Sequence, residues 1–239
     1  MFAENLVSMT AKINTKHEDI NIILNNLAPE LLIVRSHNRY QLKDKTNDMT
    51  FILNLDEYER VIEQNRTHTF NRIFKKENLK VLDCTGGFAR DAAIIASLGN
   101  HVTLIEQEPI IIALLTEAKQ RIENSFIEFL FNNIVMKFGN CLDFIKTTNK
   151  IYDYLYFDFM FNVSKSALPT KREQFLRKIV PNNISINKNI IKEIIQRVSC
   201  KIIIKEHIKS NDYEDLNIIN TYKEKTVKYH LIDGKNGYK

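Results

Sequence analysis

Three cysteines, Cys84, Cys141 and Cys200, stand far apart in the chain, and an odd, scattered set supports neither a disulfide framework nor a four-ligand zinc site. They read as reduced thiols filling small core spaces at strand or helix ends. The six histidines are equally dispersed, with no H-E-x-x-H or other paired ligand spacing, so no metal is expected. No apolar run approaches the roughly 20 residues that a membrane-spanning helix needs, and the first residues lack the apolar centre of a signal peptide. A cytoplasmic protein without a membrane partner is the expectation. Glycine is scarce, at 6 residues, and the dinucleotide fingerprint G-x-G-x-x-G is absent. A pyrophosphate would find a poor cradle, which places nicotinamide-linked oxidoreduction far down the order of candidates.

What is present fits a folded α/β domain. Contents of 44% hydrophobic and 26% charged residues are ordinary for a globular chain, and 239 residues can bury one substantial core beside a small accessory lobe. The net charge of +5 is compatible with a nucleic-acid partner without demanding one.

The organising stretch is Lys80-Val-Leu-Asp-Cys-Thr-Gly-Gly-Phe-Ala-Arg-Asp, ending at Asp91. An apolar run into Asp83, the pair Gly86 and Gly87, and an Ala-rich segment read as strand, tight loop and helix. The glycines let the backbone come close to a ligand. A second strand, His101 to Glu106, ends on a carboxylate about 20 residues beyond Asp83, where such folds hold a ribose diol. S-adenosylmethionine carries an adenosine ribose, a carboxylate, an ammonium and a sulfonium but no phosphate, and acidic strand ends with amide donors suit those groups. The competing reading is an ordinary strand-to-helix turn of some other α/β protein.

A helix over His17 to Leu27, stopped by Pro29, precedes short strands at Leu31–Arg35, Tyr40–Leu42 and Thr50–Leu55, a small β-rich lobe. Asp56 to Lys75 reads as one long helix capped by Asp56. The basic residues on or near it, Arg66, Arg72, Lys75 and Lys76, serve a solvated face or an RNA contact. Beyond the organising stretch come a helix from Pro109 to Glu123, a strand at Ile134–Phe138, a strand ending at Asp158, a helix at Ile186–Val198 and a strand at Lys201–Lys205. The tail around Val227–Ile232 adds antiparallel strands at one edge. This alternation predicts a mostly parallel, doubly wound sheet, with ligands at its carboxyl edge. Asn140 and Cys141 lie at that edge, as contacts on the adenine side or as a helix cap beside a small core residue.

Asp158 carries the reaction chemistry. An exocyclic amine of a nucleobase is a poor nucleophile because its lone pair is delocalised into the ring. A carboxylate at a strand end can accept one amine hydrogen while an aromatic ring, here Phe161, stacks on the base. The alternative is that Asp158 only terminates a strand. Five cations follow, Lys165, Lys171, Arg172, Arg177 and Lys178.

These residues resemble the RsmJ-type small-subunit ribosomal RNA guanine-N2 methyltransferases, over roughly residues 50 to 209. The anchors are Asp83-x-Thr85-x-Gly87-x-x-Arg90-Asp91-Ala92, the Val102–Glu106 strand with Pro109 and Ala113-Leu114-Leu115, Asp158-x-Met160-Phe161, and Lys165-Ser166-Ala167-Leu168. The resemblance implies a Rossmann-like class I methyltransferase using S-adenosylmethionine. Arg90, Asp91, Glu106, Gln107, Asn140, Cys141 and Asp158 would then contact or shape the cofactor pocket beside Asp83, Gly86 and Gly87. Asp158 and Phe161 would serve the base, and Lys165, Lys171 and Arg172 the RNA. Two departures stand out: Phe159 replaces the family's proline, and Gln107 stands where a basic residue is common. The expected organisation is an accessory lobe with a linking helix over 1–75 and a methyltransferase domain over 76–239. The expected partner is ribosomal RNA or the small ribosomal subunit, and the sequence leaves the oligomeric state open. Two other readings remain: an RNA-binding or ribosome-assembly protein that has lost turnover through Phe159, and an amino-methyltransferase acting on another nucleobase, such as adenine N6 in DNA.

Overall fold

The computed structural model describes residues 28–37, 39–64, 69–159, 170–180 and 184–234. The helix expected over 17–27 lies outside them. The first described elements are three short strands, β1 Leu31–Ser36, β2 Arg39–Asp44 and β3 Thr50–Phe51, forming an antiparallel sheet in chain order. Alternation decides its inner face: Leu31, Ile33 and Leu42 are fully buried, while the intervening Leu32, Val34, Gln41 and Lys43 are only partly covered. The third strand is shorter than its apolar pattern suggested. Pairing with β2 ends at Phe51, and Leu53 and Leu55 are buried beyond the ladder.

The stretch expected to be one long helix carries two, α1 Tyr58–Gln64 and α2 Thr69–Ile73. Nor does Asp56 act through its side chain as their cap. Its carboxylate accepts the backbone N–H groups of Glu123 (3.3 Å) and Asn124 (3.2 Å), tying the start of α1 to a distant turn.

The main sheet has seven strands: β4 Lys80–Asp83, β5 His101–Glu106, β6 Ile134–Phe138, β7 Tyr154–Phe157, β8 Lys201–His207, β9 Ile218–Lys223 and β10 Val227–Asp233. Their spatial order is β6-β5-β4-β7-β8-β10-β9. Strands β4 to β8 run parallel, while β10 is antiparallel to both β8 and β9. This is the doubly wound arrangement the alternation predicted. Chain order reverses between β4 and β7, which opens a crevice at their carboxyl ends.

Helices cover both faces. Helix α3 Arg90–Ser97 and then α4 Pro109–Lys119, α5 Ser125–Asn132 and α7 Lys171–Ile179 bury Ala92, Ile95, Leu115, Phe131 and Phe175 in one cluster, on the face to which Val81, Val102 and Leu104 point. Helix α6 Cys141–Thr147 and α8 Ile184–Ile195 cover the other face, where Leu82, Ile105, Phe157, Ile202 and Ile204 meet Ile191 and Ile194. Sequence analysis did not anticipate α5 or α7. Helix α7 is mostly charged, and its apolar Phe175 and Ile179 stand one turn apart on the buried side.

The small sheet shares the first cluster with the large one. The ring of Phe51 lies 5.2 Å from that of Phe88, in the loop after β4, and 5.7 Å from that of Phe175 on α7. Beside it, fully buried Asp44 accepts a hydrogen bond from Lys178 Nζ at 2.7 Å. Burial opposes ionisation of Asp44, but the Lys178 ammonium and the donors of Thr46 outweigh it and hold the carboxyl at about 2.

Phe70 of α2 is fully buried, with edge-on contacts at 5.4 Å to both Tyr156 and Tyr229 beneath the sheet. Phe70→Ala is expected to cost about 3–5 kcal/mol in a urea denaturation series. A loss below about 1 kcal/mol would mean that α2 is not part of the cooperative core.

Candidate active site

The loop after β4 is built from close backbone approaches. Gly86 donates its N–H to the Ile105 carbonyl at 3.0 Å, and a Cβ at Gly86 would fall 2.4 Å from Leu104 Cδ2. Glycine is therefore required for the loop to lie flat on β5. Gly87 follows at φ +49°, in the left-handed region. Its N–H donates to Glu106 Oε2 at 2.7 Å, while the Glu108 N–H donates to Glu106 Oε1 at 2.8 Å. Two backbone amides thus fix the Glu106 carboxylate, and each oxygen keeps a further acceptor site. Burial is the main influence on Glu106 and pushes its carboxyl up to about 7, against the pull of those amides.

Asp83, at the end of β4, is buried and accepts the Thr85 N–H at 3.1 Å. Burial raises it well above the ordinary carboxylate range, and the neighbouring negative charges of Asp91, Asp158 and Glu106 raise it further. Acids from three strand ends and the first turn of α3 therefore lie within electrostatic reach of one another around Asp83. Asp158, just past β7, donates its N–H to Thr85 Oγ1 at 2.7 Å, and its Oδ2 accepts Lys205 Nζ at 2.7 Å. The same ammonium reaches Asp91 Oδ2 at 2.8 Å, and the Tyr156 hydroxyl donates to that oxygen at 2.6 Å. The two acids are held differently. Burial opposes the charge on both, yet Lys205, Tyr156 and Arg90 keep Asp91 below its ordinary range, whereas the nearby Asp91 charge leaves Asp158 raised to about 6. Lys205 remains an ammonium, because the two carboxylates overcome its burial.

At the next strand end, Asn140 caps α6: its Oδ1 accepts the Leu142 N–H at 2.9 Å and the Asp143 N–H at 3.4 Å. Its Nδ2 donates to Gln107 Oε1 at 3.2 Å, so one side chain caps a helix and joins the ends of β5 and β6. Cys141 is buried in the second apolar cluster, with its thiol close to that of Cys84. Arg90 is exposed at the start of α3. Lys171 and Arg172 open α7; Lys171 is exposed, and Arg172 approaches the hydroxyl of Tyr58, which itself donates to the Phe88 carbonyl. Phe161 and Lys165 lie outside the described residues.

The structure thus gathers Asp83, Gly86, Gly87, Asp91, Glu106, Gln107, Asn140 and Asp158 along one carboxyl edge. Sequence analysis missed Lys205, Tyr156 and Thr85 as members of this network. A cation closing the apolar run of β8, beside a strand that ends on an acid, was the available signal for Lys205. Phe159, in place of the family proline, stacks on Phe157 with ring centres 5.4 Å apart. Ring packing thereby holds Phe159 at the position where proline would have fixed φ.

Residues 14–232 match the family described as "Putative SAM-dependent methyltransferase". The chain belongs to this SAM-dependent methyltransferase family. The methyltransferase is 27% identical over 226 residues to ribosomal RNA small subunit methyltransferase J of Buchnera aphidicola, covering 82% of this chain and 89% of that relative. It is 28% identical over 159 residues to the protein of the same name from Francisella tularensis subsp. novicida, covering 65% of this chain and 66% of the relative. In fold it is similar to a SAM-dependent methyltransferase from Neisseria gonorrhoeae, with a TM-score of 0.67 at 16% identity, covering 95% and 97% of the two chains.

The donor set of the methyltransferase fits S-adenosylmethionine. Clustered acids suit a sulfonium and an ammonium, fixed Glu106 suits a diol, and no side chain obstructs the backbone at Gly139, where an added Cβ would meet nothing within 4 Å. Among the described residues, no group of three or more histidines, cysteines or acids is placed to hold a metal ion, and no helix is long and apolar enough to cross a membrane.

Gly86→Ala drives a methyl group into the buried Leu104 side chain and detaches the loop from β5. Calorimetric titration with S-adenosylhomocysteine should show affinity lost by about tenfold or more, alongside a lower melting temperature. Wild-type affinity in this variant would show that the loop does not need the approach seen at Gly86.

Proposed function

We propose that this chain methylates the exocyclic N2 of a guanosine in small-subunit (16S) ribosomal RNA, using S-adenosylmethionine. The observation that carries the reading is Asp158. Its backbone N–H is fixed by Thr85 and its Oδ2 by Lys205, and its carboxyl lies beside that of Asp91. A carboxylate with a fixed orientation is thus offered to an incoming amine at the same strand edge as the cofactor residues. The names carried by the Buchnera and Francisella relatives support ribosomal RNA as the substrate.

Glu106 would hold the ribose diol, Asn140 and Gln107 would border the adenine, and Arg90 with the acids Asp83 and Asp91 would receive the carboxylate and ammonium of the amino-acid end. When bound, S-adenosylmethionine supplies an electrophilic methyl group on a sulfonium. Asp158 accepts one amine hydrogen, turns the nitrogen lone pair out of ring conjugation, and takes up the proton that the methylated amine releases. Positioning and fixed charge supply most of the acceleration, so no strongly basic side chain is required. Exposed Lys171 and the neighbouring Arg172 offer phosphate contacts at the mouth of the site. The stacking of Phe159 on Phe157 favours an active enzyme over a fold that has lost turnover.

Asp158→Ala should lower single-turnover methyl transfer to undermethylated small subunits by about 100-fold or more while retaining most of the affinity for S-adenosylhomocysteine. Transfer at the wild-type rate would remove Asp158 from the reaction. Nucleoside mass spectrometry of the product identifies the amine, and methylation of naked DNA in preference to subunits would replace the RNA assignment.

The wild-type rate should rise with pH through about 6, as Asp158 ionises. Stability runs the other way. Because the folded carboxyl lies above its ordinary value of 3.8, its contribution is complete below that value and is lost as pH rises through about 6. Parallel rate and urea-denaturation profiles check both signs; a rate flat from pH 5 to 8 would dissociate Asp158 from the limiting step.

A further inference from the structure

On the reading above, we propose that Lys205 is a positioning residue for methyl transfer, its ammonium joining the cofactor-side acid Asp91 to the base-side acid Asp158 and fixing Asp158 through Oδ2 so that its carboxylate is oriented, and charged, for the amine. The register supports this placement. Phe157 pairs with Ile204 between β7 and β8, so Lys205 lies one rung further on, beside Asp158, and on its other side it pairs with Tyr229 of β10. Its side chain is 17% exposed, and it lies 2.8 Å from Asp91 and 2.7 Å from Asp158.

The energetics argue against a role in stability alone. Three charges removed from water are costly, and apolar replacements of similar volume are commonly neutral or stabilising. The cost is explained if both acids are needed at this edge, because two neighbouring carboxylates without a cation between them would share a proton. An Asp158 that carries that proton cannot accept one from the amine. Lys205 itself cannot be the base. As an ammonium it has no lone pair to offer, so its influence passes through Asp158.

The charged and titratable groups facing Asp158 come from every neighbouring element. They are Asp83 of β4, Asp91 of α3, Tyr156 of β7, Lys205 of β8 and Tyr229 of β10. Of these, only Lys205 is a cation. Arg90, also cationic, acts on Asp91.

The test replaces Lys205 with methionine in the full chain and follows the Asp158 carboxyl by carbon-13 NMR against pH, with a melting curve as a folding control. The Asp158 midpoint is expected to rise by about one unit or more. The acid limb of single-turnover methyl transfer should move with it, lowering the rate at pH 7 about twofold for a one-unit rise and about tenfold for a two-unit rise, and regaining activity toward higher pH. Affinity for S-adenosylhomocysteine should fall much less than the rate. An unchanged midpoint and acid limb would overturn the proposal. Should Lys205→Met fail to fold, the wild-type Lys205 ammonium is followed by nitrogen-15 NMR and compared with Asp158→Ala. The proposal requires its exchange protection to weaken when Asp158 is removed, and unchanged protection overturns it. Neither NMR measurement uses RNA. A wild-type protein that methylates no small-subunit RNA would therefore refute the substrate reading while leaving the part played by Lys205 to the titrations.

Discussion

Four carboxylates, Asp83, Asp91, Glu106 and Asp158, crowd the carboxyl edge of one sheet, and the site depends on keeping that concentration of negative charge folded. Each acid is treated differently. Glu106 is held by two amides, Asp91 by an ammonium and a phenol, and Asp158 by the same ammonium on its carboxylate, with its own backbone N–H donating to Thr85. Burial raises Asp83 well above the usual range. Such an edge is poor at binding phosphates and well suited to a cofactor bearing a sulfonium and an ammonium, which is the electrostatic counterpart of the missing dinucleotide fingerprint.

Topology makes this gathering possible. Reversal of chain order between β4 and β7 sends the following segments to opposite faces of the sheet and leaves the strand ends uncovered. Neighbouring strands then supply Glu106, Asp83, Asp158 and Lys205 in sequence across the edge. The second apolar cluster, with Phe157, Ile202 and Ile204, gives these polar ends a rigid base on one face. Phe70, Tyr156 and Tyr229 do so on the other. Tyr156 serves both purposes, with its ring in the core and its hydroxyl on Asp91.

Much of this was legible in the chain. Apolar runs that end on acids identified β4, β5 and β7, and the pair Gly86 and Gly87 marked the loop between β4 and α3. The resemblance, rather than any pattern, supplied Arg90 and Asp91, because an arginine and an acid opening a helix look like surface charge until Lys205 is seen beside them. Long-range pairing was hidden for a physical reason. Lys205 and Asp158 are 47 residues apart and meet only because β7 and β8 pair in parallel, which local periodicity does not encode. Helix α7 was missed because its charge masks an apolar stripe only two residues deep, Phe175 and Ile179. Asp56 looked like a helix cap locally, yet its carboxylate bonds amides 67 and 68 residues away.

Phe51 touches both Phe88, behind the glycine loop, and Phe175, on the basic helix. Three rings in contact form a short column without an intervening polar joint, so the small sheet works as a splint between the loop and the helix. The cofactor-side loop and helix α7 are thereby mounted on one stiff bracket, and neither can tilt without forcing the other out of line.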